Sequence, residues 1–207
     1  MSIPLPTFQE RQVDALREVA NIGAGHAATA LSEMIGSTIM ISVPRVNVSR
    51  LEDMPPVVTL PEEPVAAVLL HMLGDMTGRT LLVLPREAAI RLAELMLHRA
   101  PGTIQQLGAL EQSAIQEAGN ILSSAYLNAL SDFMGMLLLP SPPTFTLDRS
   151  AAVLTAQHLH FESNADLVFC VESEFLMQEI DERLRGFFLL LPDAASLDTI
   201  LRAVRVA

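Results

Sequence analysis

No lysine occurs in this chain: all 13 basic residues are arginine. That excludes a Walker A phosphate loop, a Schiff-base lysine and a kinase-type lysine. A function that needs an ammonium must take it from a partner. Trp is also absent and aromatics are only 4%, so the core must be built from Leu, Val, Ile, Ala and Met. Acidic residues number 24, and the net charge is −11, the wrong sign for neutralising phosphates in a nucleic acid. The one cysteine, Cys170 in LVFCVE, cannot form an internal disulfide, which suits a reducing cytoplasm. It reads as a small core residue in a strand rather than a reactive thiol. No apolar run approaches the roughly 18 residues of a transmembrane helix. The opening MSIPLPTFQER has neither the basic leader nor the apolar core of a signal peptide. A cytoplasmic monomer with no membrane or nucleic-acid partner is expected.

What is present is a repeat. In 207 residues, half of them hydrophobic, there is room for one sizeable core. Asp14, Glu18, Asn21 and Pro44 have mates at Ser113, Glu117, Asn120 and Pro143, each pair 99 residues apart. The same offset joins Ala15 to Ala114, Ile22 to Ile121, Ala30 to Ala129, Leu31 to Leu130, Ser32 to Ser131 and Gly36 to Gly135. A duplicated unit explains this. Residues of about 8–99 and 107–207 form the two repeats of a single domain spanning 1–207.

Each repeat is expected to open with a long helix. Thr7 and Glu10 have capping-box spacing at the first, and Gly36 and Gly135 stand where a terminating glycine belongs. Strands are expected near 38–48, 65–73, 79–84, 144–156, 165–173 and 186–191, three to each half. A short helix closes each half, PREAAIRLAELML and PDAASLDTILRAV. The closing LVLP and LLLP segments are 107 apart, so the second half holds about eight extra residues, near 158–164 or 175–185. The fold class is α+β, a pseudo-twofold arrangement of two long helices side by side on β-structure.

On a helical period Asp14, Glu18, Asn21, Gly25 and Ser32 fall near one line, and Ser113, Glu117, Asn120, Ser124 and Ser131 form its copy. Leu16, Val19, Ala20, Ala27, Leu31 and Met34 supply the apolar side. One Glu and one Asn on a helix usually mark a solvated face, but here two copies with different neighbours keep both. The stretch EVANIGAGHAATAL carries two glycines, each costing about 1 kcal/mol in a helix interior. Gly25, one turn from Asn21, leaves the amide open to close approach. Gly23 faces elsewhere, and its mate is Leu122, so it reads as a packing contact peculiar to the first half. Gly25 and Ala28 flank one Asn, Ser124 and Leu127 the other, so the two positions should be unequal.

The pattern of Asp or Ser, three residues, Glu, two residues, Asn, twenty-two residues, Pro resembles the CheC, CheX and FliY family of chemotaxis phosphatases. LREVANIGAGHAATALSEMIG and IQEAGNILSSAYLNALSDF are similar to its two signature helices, and two motifs without an appended switch domain are most like the CheC type. The resemblance implies hydrolysis of the aspartyl phosphate on a CheY-type response regulator. It implies that Asn21 and Asn120 each position the attacking water. Glu18 and Glu117 would each pair with a regulator lysine. Asp14, Ser113, Pro44 and Pro143 would support the motif. No cofactor would be bound by this chain, and Mg²⁺ would belong to the regulator. A second reading is a non-catalytic adaptor that binds the phosphorylated regulator and controls a CheD-type receptor deamidase.

Other signals carry less. The GAG at 23–25 lacks the preceding strand and third glycine of a dinucleotide site. His158 and His160 alternate as on a strand but have no accompanying carboxylate or Cys cluster. His26 has Ala125 as its mate, which argues against a shared catalytic role.

Overall fold

A computed structural model of the chain describes residues 10–50, 64–149, 153, 167–177 and 182–206. In chain order the elements are α1 (Glu10–Ile35), β1 (Ile39–Ile41), β2 (Arg45–Arg50), β3 (Pro64–Gly74), β4 (Gly78–Pro85), α2 (Arg86–Met96), α3 (Ala109–Met134), β5 (Leu138–Pro140), β6 (Thr144–Arg149), β7 (Leu167–Met177), β8 (Glu182–Pro192) and α4 (Ala194–Val206). The strands form one eight-stranded sheet in the order β1-β7-β8-β4-β3-β5, with β2 also on β7 and β6 also on β3.

The repeat is visible in the register. β4 and β8 pair antiparallel at the centre, Leu81 opposite Leu189 and Leu82 opposite Phe188. Shifting by the 107 residues between the two halves exchanges these pairs. A twofold axis therefore runs through the sheet between them, perpendicular to it. Both long helices lie on one face. Ala20, Ala24, Ala27 and Leu31 of α1 and Ile115, Ala118 and Leu122 of α3 pack with Ala66, Val68, Leu70, Leu82 and Leu84. The axis makes α1 and α3 antiparallel, so Leu16 and Val19 of α1 meet Leu127 and Leu130 of α3. The opposite face is buried too: Val65, Ala67, Leu81, Val83, Cys170, Phe187, Leu189 and Leu191 cluster with Val153. Burial on both faces is why β3, β4 and β8 read as continuous apolar runs instead of alternating. Cys170 is in this layer, where burial, and then the charge of Glu172, push its thiol up to about 12, consistent with the core role expected of it.

Gly36 and Gly135 terminate the long helices as expected, at φ 70° and 64°. Their amides return to the helix: Gly36 N–H donates to Ser32 O at 2.9 Å, and Gly135 N–H donates to Ser131 O. The Thr7–Glu10 capping box lies outside the described residues. The closing helices match α2 and α4.

The strand expectations need correction in three places. Each half has four strands, because the strand expected over 38–48 is broken at Ser42–Pro44 into β1 and β2, and β5 precedes β6 across the matching break at Ser141–Pro143. The strand expected over 144–156 ends at Arg149, and Val153 is helical and buried. β5 was not expected at all. The eight extra residues are divided between both expected places. Ile39 and Leu138 are 99 apart, their partners Met177 and Gly74 are 103 apart, and the remaining shift to 107 falls between β7 and β8.

Candidate functional site on the paired helices

The broken first strand has a built cause. Ser42 N–H donates to Glu174 O at 2.9 Å, and Glu174 N–H donates to Ser42 Oγ at 3.1 Å. In the other half Ser141 N–H donates to His71 O at 2.9 Å, and His71 N–H donates to Ser141 Oγ at 2.9 Å. The Ser therefore replaces one ladder bond in each half, and the Pro two residues later cannot restore it. Ser42 and Ser141 carry the same 99-residue offset as the motif, so S-x-P was a readable signal that sequence reasoning missed. Pro44 is buried and Pro143 half-buried in these turns, as structural positions.

Along α1, Asp14, Glu18, Asn21 and Gly25 are all exposed. Asp14 accepts from Arg17 at 2.8 Å, an exposed pair of small energetic consequence. Along α3, Ser113 and Glu117 are exposed, and Asn120 and Ser124 are half-buried. Among the described residues, Glu18, Asn21, Glu117 and Asn120 have no hydrogen-bond or ion-pair partner; the first three are exposed and Asn120 is half-buried. Each Glu lies three residues before its Asn, which brings the two together on the same helical face.

The glycines separate cleanly. A Cβ at Gly23 would stand 2.5 Å from Tyr126 Cδ1 and 3.1 Å from Tyr126 Cα. Gly23 is thus the close approach of α1 to α3, and Tyr126, stacked on Phe188 at 4.5 Å between centroids, fills the space. A Cβ at Gly25 would meet nothing within 4 Å, so no contact inside the protein requires this glycine. It leaves bare surface beside Asn21.

Two side chains of the expected stripe, and two residues expected beside it, lie elsewhere. Ser32 is half-buried, with Ile39 N–H donating to its Oγ at 2.9 Å, and Ser131 Oγ donates to Met136 O. Both staple a helix end to the chain leaving it. Leu127 does not flank Asn120 at the surface; it is buried, lining with Leu16, Val19, Ala20 and Tyr126 an apolar cavity of about 40 Å³. Met34, expected inside, is exposed. His26 is exposed on α1, with its mate Ala125 buried. His158 and His160 lie outside the described residues.

The supports beneath the two motifs differ. Ala20 lines the cavity under Glu18 and Asn21. Its mate Gly119 lets α3 sit directly on the sheet, since a Cβ there would be 2.6 Å from Val68 Cγ1. One turn on, Thr80 and Ser123 share a buried hydrogen bond at 3.1 Å; the mate of Ser123 is Ala24. Gln116, next to Glu117, donates from Nε2 to Pro143 O at 3.2 Å. This bond was not foreseen, because Gln116 has Arg17 as its mate.

A doubled Glu-and-Asn face on a duplicated helix–sheet unit defines a class of protein, and the comparisons give that class its name. The chain belongs to the CheC-like family, whose model matches residues 12–48 and 110–147, one motif in each. It is 30% identical over 199 residues to CheY-P phosphatase CheC of Bacillus subtilis (strain 168), covering 95% of each chain. It is also 31% identical over 144 residues to the flagellar motor switch phosphatase FliY of the same organism, covering 68% of this chain and 36% of the relative. Thermotoga maritima FliY has the same fold, at a TM-score of 0.80 and 22% identity, over 96% of this chain and 98% of that one. Among the described residues, no helix is long and apolar enough to cross a membrane.

Proposed function

We propose that this protein hydrolyses the aspartyl phosphate of a CheY-type response regulator, using one Glu and one Asn from each long helix. The observation that carries the reading is that the two repeats set the same Glu and Asn, three residues apart, at the surface of the paired helices, with none of the four side chains engaged inside the protein among the described residues. The two Bacillus subtilis relatives, both named as phosphatases, support it. Side chains presented from the surface of a helix suit a macromolecular substrate, which brings its own cleft.

An acyl phosphate is already activated, and phosphoryl transfer passes through a loose transition state, so catalysis is mostly positioning and charge stabilisation. Asn21 or Asn120 enters the regulator's site and orients a water in line with the phosphorus. The water oxygen bonds to phosphorus and the bond to the aspartyl oxygen breaks, giving inorganic phosphate and the free carboxylate. A carboxamide suffices, because orientation rather than strong basicity is required. Glu18 or Glu117 pairs with a lysine of the regulator, an ammonium that this chain itself does not carry. Mg²⁺ belongs to the regulator and offsets the phosphoryl charge there. With a net charge of −11, long-range steering toward an acidic regulator is poor, so these local pairs fix the register.

The test is the decay of a phosphorylated CheY-type regulator with and without the protein. Accelerated decay is expected. A regulator that binds but keeps its phosphate for its unassisted lifetime would replace the phosphatase with the adaptor reading, in which the bound complex acts on a CheD-type deamidase.

A further inference from the structure

We propose that Gln116 is a positioning residue for the second motif, acting through the Pro143 turn. This rests on the phosphatase reading and adds to it a residue outside the repeated pattern. Gln116 is one turn before Asn120 on α3, so the two side chains are neighbours along the helix. Its Nε2 donates to Pro143 O at 3.2 Å. The turn it grips is itself held by the paired Ser141 and His71 bonds, both 2.9 Å. Gln116 therefore ties α3, at its Glu and Asn, to a rigid corner of the sheet.

The first half lacks the tie. Arg17, the mate of Gln116, bonds Asp14 on its own helix at 2.8 Å, and among the described residues it reaches no atom of the Pro44 turn. Exposure follows the same division. Asn21, Ile22 and Gly25 are exposed, whereas Asn120, Ile121 and Ser124 are half-buried. A walled Asn samples fewer rotamers than an open one and loses less freedom on orienting water. The geometry assigns the second motif the pre-organised role, with Gln116 holding its wall.

The experiment follows regulator dephosphorylation in two backgrounds, Asn21→Ala so that only the second motif reports, and Asn120→Ala so that only the first does. Gln116→Met keeps size and removes the donor; Gln116→Lys restores a donor. In the Asn21→Ala background, Gln116→Met should lower kcat about tenfold and shift KM less than about twofold, as small misplacements do, and Gln116→Lys should recover most of the loss. In the Asn120→Ala background Gln116→Met should change nothing. Hydrogen exchange at the amides of Ser141, Thr144 and Phe145 should quicken in Gln116→Met while that of α1 stays unchanged. Equal losses in both backgrounds, or no loss in either, would overturn the proposal. Absence of any stimulated decay by the wild-type protein would instead remove the phosphatase reading on which it rests, and the proposal with it.

Discussion

The two halves present the same Glu and Asn on different foundations. In the first, the motif of α1 lies over an apolar cavity shared with the far end of α3, its Asn stands exposed and a bare glycine lies one turn away. In the second, α3 rests on Val68 through Gly119, hydrogen-bonds the sheet through Ser123 and Thr80, and is tied to the Pro143 turn by Gln116. Duplication has kept what a partner would touch and let the supports diverge. The proposed chemistry needs two side chains at fixed spacing on one face, whereas many packings can hold a helix in place.

The largest difference between the halves should appear in the single asparagine variants. Asn120→Ala should remove the greater share of stimulated dephosphorylation and Asn21→Ala the lesser, measured as regulator phosphate decay. Equal losses would show that seating has no kinetic consequence. Charge reversal should be nearly symmetric by contrast, because both glutamates are exposed. Glu18→Arg or Glu117→Arg should weaken binding at its own site by about 2 kcal/mol, roughly thirtyfold in Kd. Titration with the beryllium fluoride form of the regulator, a stand-in for the phosphorylated one, reads this. Unchanged affinity when both are reversed would refute the pairing.

The two glycines sharpen the comparison further through stability. Gly23→Ala should destabilise by about 1–3 kcal/mol, the usual cost of overpacking, since the new methyl meets Tyr126 including its backbone. Gly25→Ala should do the reverse, raising stability by up to about 1 kcal/mol through helix propensity while lowering activity in the Asn120→Ala background, where only the first motif works. Thermal melts separate the pair. A Gly25→Ala protein that is both more stable and fully active would show that no partner approaches that surface.

Much of this was legible because the repeat is. The 99-residue offset gave the two helices, their terminating glycines and the motif, and periodicity placed Glu18, Asn21, Glu117 and Asn120 outward. The apolar runs gave β3, β4 and β8. What stayed hidden depends on contacts distant in sequence. The break at Ser42 and Ser141 is made by bonds to Glu174 and His71 on other strands. Leu127 and Met34 exchanged the sides expected of them because the antiparallel partner helix, not periodicity alone, decides which flank is covered. Gln116 was invisible for a different reason: searching by repeat finds what the halves share, and this residue matters where they differ.

The central claim is that the two motif asparagines, Asn21 and Asn120, are the chemical device. It is tested most directly by the decay of a phosphorylated CheY-type regulator with wild type, with Asn21→Ala, with Asn120→Ala and with the double variant. The double variant should fold normally by circular dichroism and still bind the regulator, with stimulated decay reduced by about 10²–10³. A double variant that accelerates decay at the wild-type rate would contradict the claim.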